Sequence, residues 1–97
     1  MATIATATII GDDSFTSPEY LEGYFNLSIS GTFSATVTVQ RSFDKGSTWL
    51  DIDSFTSATE EVGFEPETVK YRVGVKSGDY SSGTIVVRLG HEDNETH

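Results

Sequence analysis

Four carboxylates fall in two close pairs, Asp51 with Asp53 and Glu60 with Glu61. Asp51 and Asp53 lie two apart and so share a strand face, Glu60 and Glu61 follow in the next strand, and carboxylate oxygens of this kind suit a hard cation such as calcium. No loop spaces alternate oxygens as an EF-hand does, and fifteen Asp and Glu stand against six Lys and Arg. In so acidic a chain these pairs read first as a solvated face, and no metal is expected. Carboxylates acting on a sugar would need a groove and one raised pKa, and strands this short announce neither. His91 and His97 fall in the C-terminal tail, away from any strand that could set them beside a nucleophile. There is no cysteine, hence no thiolate zinc site and no disulfide. No catalytic residue and no cofactor is expected, and the chain reads as a binding or structural module rather than an enzyme.

The basic residues are more informative. Lys70, Arg72 and Lys76 share one strand face in a chain of formal charge −9. They either pair with the chain's own carboxylates or bridge to an acidic partner. Tyr20, Tyr24 and Tyr80 sit at loop–strand junctions, where sealing the core is the first expectation and anchoring an interface the second. The negative charge opposes nucleic acid and anionic membrane surfaces. No apolar run approaches the ~20 residues of a spanning helix, and the N-terminus lacks signal-peptide character. Synthesis in a cytoplasm as a soluble protein is expected.

These side chains are positioned by strands. With 97 residues the chain supports one core, burying roughly two-thirds of its unfolded surface. Its apolar residues are mostly Val, Ile, Phe and Tyr, which suit a pleated, half-buried surface. They recur with period two: Phe25, Leu27 and Ile29, then Phe33, Ala35, Val37 and Val39, then Val69, Tyr71, Val73 and Val75. Between 85 and 89 the chain is apolar on both sides apart from Arg88, as in a central strand. Turn chemistry marks breaks near 11–14, 30–32, 45–47, 65–67 and 77–79.

Seven strands follow, near 2–10, 22–30, 33–42, 48–53, 58–64, 68–76 and 82–90. Their number and spacing predict an all-β fold, an antiparallel β-sandwich, with a small β-barrel as the alternative. Ser17-Pro18 predicts a helical turn over 17–21. The domain spans 1–90, followed by a disordered polar tail over 91–97. Residues 2–10 carry no charge and need a partner. They pair within their own sandwich or add to a neighbouring subunit's edge, which makes Thr3, Ile4, Thr6, Thr8, Ile9 and Ile10, with Lys70, Arg72 and Lys76, the candidate interface.

One motif has a fixed spacing. Ser42, Asp44, Gly46, Thr48 and Trp49 spell S-x-D-x-G-x-T-W and resemble the Asp-box. In that hairpin the Asp accepts turn amides, the Gly supplies a positive φ and the Trp packs beneath. The Asp-box is a structural device that lies away from the active site even in sialidases, so it implies no glycosidase. The wider run FNLSISGTF, VTVQRSFDKGSTW and KYRVGVKSGDYSSGTIVVRLG resembles small bacteriophage virion proteins. The resemblance implies a non-enzymatic capsid decoration (cement) protein of the virion, forming a homo-oligomer such as a trimer and docking on the major capsid or another virion protein. A tail, neck or head-fibre component is the alternative within that class. A carbohydrate-binding sandwich that stacks exposed aromatics on a host surface glycan is the alternative outside it, and an open Trp49 is what that reading requires.

Overall fold

Every stretch with period-two alternation becomes a strand. The computed structural model describes residues 4–91, which form nine strands and no helix. These are β1 (Ile4–Ile9), β2 (Ser14–Phe15), β3 (Glu19–Ser30), β4 (Phe33–Ala35), β5 (Val37–Ser42), β6 (Leu50–Phe55), β7 (Thr59–Val75), β8 (Tyr80–Gly83) and β9 (Ile85–His91). Seven of them form one antiparallel sheet in the order β1-β9-β3-β7-β5-β6, with β2 added to β7, while β4 and β8 make a separate two-stranded ribbon. The sheet folds over on itself into a β-sandwich-like pair of layers. β1, β9 and the ends of β3 and β7 that pair with each other over 23–29 and 59–65 form one layer; β5, β6 and the second half of β7 form the other.

The core lies between the layers. Leu27, Ile29, Ile85, Val87, Leu89, Ala5 and Ile9 from one side meet Val37, Val39, Val69, Tyr71, Val73 and Val75 from the other, all buried. Phe33, Ala35 and Tyr80 of the β4–β8 ribbon close an end of it. β9 lies inside the sheet between β1 and β3, as its apolar character predicts, although Val86 and Arg88 face outward and are exposed.

The sequence places a turn at Glu65-Pro66-Glu67, but β7 runs unbroken through it. Between the Leu21–Val69 and Gly23–Glu65 pairs, β3 has only Glu22 where β7 has Pro66, Glu67 and Thr68. The extra residues on β7 make a wide bulge, where Pro66 is spared from donating a ladder hydrogen bond. Gly23 takes the positive φ of +85° that the bend demands. Thr68 Oγ1 donates to Glu22 Oε1 at 2.7 Å across the bulge. The bend thus turns two strands from one layer into the other instead of ending them.

Other boundaries shift for local reasons. No helical turn forms over 17–21, because β7 offers that segment backbone partners. Thr16 N–H donates to the Val73 carbonyl at 2.9 Å, the Val73 N–H donates back to Thr16 Oγ1 at 3.2 Å, and Glu19 to Leu21 pair with Tyr71 to Val69. The expected strand 48–53 begins at Leu50, since Ser47 to Trp49 belong to the preceding turn. His91, placed in the tail by sequence, is the last residue of β9 and stands opposite Phe25. Residues 92–97 lie outside the described residues, and with them the expectation of a disordered tail.

At the bend a charge is buried. Glu65 is only 2 % exposed, and its Oε1 accepts hydrogen bonds from Arg41 Nη1 at 2.8 Å and from the Tyr71 hydroxyl at 2.7 Å. A carboxylate removed from water is tolerated only with such donors. Burial first, and Glu65 second, push the Tyr71 hydroxyl above its ordinary pKa; the hydrogen bond to Glu65 raises that of Arg41. Glu65→Ala strands the Tyr71 hydroxyl and leaves Arg41 unpaired, although its side chain, a third exposed, can still reach water. The expected loss is about 3 kcal/mol, with Glu65→Gln less severe because its amide oxygen still accepts from Tyr71. Urea denaturation measures both, and an unperturbed Glu65→Ala midpoint would show that the bend does not depend on this carboxylate.

Candidate functional site

The S-x-D-x-G-x-T-W residues fold as their spacing predicts. The Ser42 hydroxyl donates to Asp44 Oδ1 at 2.7 Å and accepts from the Gly46 N–H at 2.8 Å, while the Thr48 N–H donates to Asp44 Oδ1 at 2.8 Å. Lys45 and Gly46 both adopt positive φ, +64° and +95°, and the Trp49 ring lies beside Gly46. Hydrogen bonds from Ser42 first, then from Thr48, lower the Asp44 carboxyl to about 2.

Lys70 and Arg72 of β7, and Lys76 just beyond its end, lie on the outer face of the second layer, but they are not a free basic stripe. The Arg72 guanidinium lies between two aromatic rings, 4.2 Å from the Phe15 centroid and 4.4 Å from that of Trp49. Its Nε donates to Gln40 Oε1 at 2.8 Å. Gln40 passes the connection on, donating through Nε2 to Asp51 Oδ1 at 2.7 Å, and Lys76 Nζ reaches Asp51 Oδ2 at 2.6 Å. Burial lowers the Arg72 pKa from its ordinary value, while the Lys76 contact, ahead of Gln40, lowers that of Asp51. Lys70 Nζ lies 5.3 Å from the Tyr20 ring centroid. Of the two readings of these bases, the structure therefore shows the intramolecular one for Lys76, and it shows Arg72 clamped. Gln40 and Thr38, which alternation assigns to solvent, are buried beneath this network.

The other candidates separate. Thr3 lies outside the described residues. Ile4, Thr6, Thr8 and Ile9 belong to β1, which pairs along its length with β9 of its own sheet. Ile9 is fully buried in the core and so is no interface residue. Thr6 and Thr8 are exposed, and Ile10, just beyond β1, is 71 % exposed. Asp51 and Asp53 do not form a pair: β6 bulges at Ile52 between them, Asp51 is held by Gln40 and Lys76, and Asp53 Oδ1 accepts the Ser54 N–H at 2.9 Å. Among the described residues no three His, Asp or Glu side chains converge as metal ligands, and no helix is long and apolar enough to cross a membrane.

Two surfaces escape the sequence reading. The first is an apolar ladder on the outside of the first layer: Val62 is 78 % exposed, Phe64 58 % and Tyr24 62 %, and the cross-strand rings of Tyr24 and Phe64 stand 4.9 Å apart. Tyr20 and Tyr24 are thus exposed, against the expectation that they seal the core; only Tyr80 packs against it. The second is a groove of about 140 Å³ between β6 and the first half of β7, with Phe25 and Leu27 at its floor, Ile52 and Phe55 on one wall, and Asp53 and Glu61 at its rim. The one available signal was the segment Glu61-Val62-Gly63-Phe64-Glu65, where an inward Phe64 would have demanded outward Glu61 and Glu65. The structure has the opposite phase, because Gly63 leaves room for the Phe25 ring and Glu65 has buried partners.

No protein family, curated protein or solved structure matches this chain.

Two outcomes follow from the hairpin and the clamp. The depressed Asp44 pKa means that the folded hairpin gains stability as pH rises through the ordinary carboxylate range and loses it as pH falls toward about 2. The difference in Tm between the native protein and Asp44→Asn is therefore expected at pH 7 and should vanish near pH 2; a gap independent of pH removes the role given to this carboxylate. Arg72→Lys keeps the charge but loses the planar stack between Phe15 and Trp49. It should cost about 1 kcal/mol and shift Trp49 emission to the red with stronger acrylamide quenching, whereas unchanged fluorescence means the clamp is not formed in solution.

Proposed function

We propose that this domain is a non-enzymatic structural protein of a phage virion, a decoration protein that adheres to the outside of a capsid shell and reinforces it. The observation that carries this reading is the ladder of Val62, Phe64 and Tyr24. These three large side chains are more than half exposed on adjacent strands, on a rigid sheet. Contiguous apolar surface of this type marks a site of protein association, and aromatic side chains are favoured as its anchors. The resemblance of the Gln40 to Trp49 hairpin and the 70–90 region to small virion proteins supplies the particular class. Weak contacts repeated over a lattice sum to firm attachment.

The oligomer proposed with this role forms through exposed surface and not by removal of the N-terminal strand from its own fold. β1 fills the core with Ala5 and Ile9 and covers one edge of β9. Truncating 2–10 would therefore damage the sandwich itself, since β1 pairs within its own sheet, the first of the two readings of this strand.

The glycan-binding alternative is less well supported. It required an open Trp49, but Arg72 lies over that ring. The exposed pair, Tyr24 and Phe64, is tilted by 59° and offers no common plane for a sugar.

Co-sedimentation of the purified protein with shells of the phage that carries its gene tests the proposal. Binding is expected, and Tyr24→Asp with Phe64→Asp should weaken it at least tenfold while leaving circular dichroism unchanged, since both side chains are exposed. Binding that is absent, or indifferent to these substitutions, refutes the reading.

A further inference from the structure

The groove between β6 and β7 lies where the sheet fails to close. Between residues 59 and 65, β7 has β3 on one side and no strand on the other among the described residues. Among the described residues β6 likewise has only β5 beside it. Two backbone edges thus face a cleft whose floor is apolar, and the bulge in β6 at Ile52 adds a further apolar side chain to its wall. An unpaired edge beside a row of apolar pockets is the geometry of strand addition, in which the backbone supplies affinity and alternate side chains supply specificity.

The rim identifies the guest. Asp53 and Glu61 stand at the mouth of the groove, and neither pairs with Lys or Arg among the described residues. The whole chain carries a formal charge of −9. A second copy would bring like charge to these carboxylates, and its longest uncharged strand, β1, is already committed to β9 with Ile9 in the core. We propose that an extended, basic segment of a different protein pairs with the free edge of β7 over residues 59–65, sets one large apolar side chain into the groove over Phe25 and Leu27, and places Lys or Arg against Asp53 and Glu61. This holds for any partner and does not rest on the virion reading. The bare alternative is that Glu61 and Asp53 only keep the edges from self-pairing, in which case no guest of either charge binds.

The probe is a synthetic nonapeptide of alternating Thr and Val with a central Phe and Lys at both ends, compared with its Glu-ended counterpart. Each is titrated into the intact, isotope-labelled protein and followed by amide chemical shifts. The Lys-ended peptide should move the amides of 52–55 and 59–63 and bind roughly fivefold more tightly than the Glu-ended one, the gap closing as salt is raised. In the double variant Asp53→Lys, Glu61→Lys, the preference should reverse, which a merely protective role for these carboxylates would not produce. Absence of saturable shifts at millimolar peptide, shifts confined to the Tyr24 and Phe64 face, or an unchanged preference in the reversed variant each overturn the proposal. Concentration-dependent broadening at these amides without peptide would assign the edge to a second copy and overturn it too. Loss of shell binding through Tyr24 and Phe64, which do not line the groove, leaves these outcomes untouched, so the two readings fail separately.

Discussion

Placing a carboxylate between two β layers constrains everything around it. Glu65 must be met by donors, and those available come from different strands: Arg41 at the end of β5 and Tyr71 farther along β7. The same strand that carries Glu65 therefore has to bend far enough for its second half to return a hydroxyl to its first. The wide bulge at Pro66 and the positive φ of Gly23 permit that bend, and the bend lets β3 and β7 serve both layers. Turning Glu65 inward also fixes the phase of the strand before it. Glu61, Gly63 and Glu65 take the inward positions, and Val62 and Phe64 are left outside. The exposed apolar ladder and the open groove are thus consequences of one buried charge, since a phase that hid Phe64 would have driven Glu65 into solvent and left Tyr71 without a partner.

The limits of the sequence follow from the same physics. Alternation in 25–29, 33–39 and 69–75 was legible because each strand has one face in the core, and a period of two has only one arrangement that hides Val and Ile. The Asp-box hairpin was legible because the hydrogen bonds that shape its turn are local, all between Ser42 and Thr48. What could not be read depends on residues distant in the chain. Pro66 between two acids carries every mark of a turn, and only the bulge opposite Glu22 makes it part of a strand. Ser17-Pro18 has the form of a helix start, but Thr16 exchanges hydrogen bonds with Val73, fifty-seven residues away in sequence. The phase of 61–65 was the hardest, since the decisive facts are the Phe25 ring over Gly63 and the Arg41 hydrogen bond to Glu65, neither of which has a local signature. Of the candidate interface, the placement of Lys76 on Asp51 followed a general expectation of intramolecular pairing; the stacking of Arg72 between Phe15 and Trp49 needed the fold.

The distribution of charge follows from how the bases are used. Of six Lys and Arg, Arg41 is directed to buried Glu65, Arg72 is enclosed by two rings and Gln40, Lys76 holds Asp51, Arg88 donates to Asn26 at 3.0 Å, and Lys70 lies by the Tyr20 ring. Lys45, in the Asp-box turn, remains. None of the six is buried, but fifteen carboxylates outnumber them and leave the exterior field negative. A field of that sign keeps copies apart at long range and lowers the barrier for approach of a basic partner. It also separates the two surfaces by what they can accept. The ladder of Val62, Phe64 and Tyr24 holds its apolar groups in the open and suits a broad, flat contact, whereas the groove sets its apolar floor behind Asp53 and Glu61 and admits only a narrow segment of opposite charge.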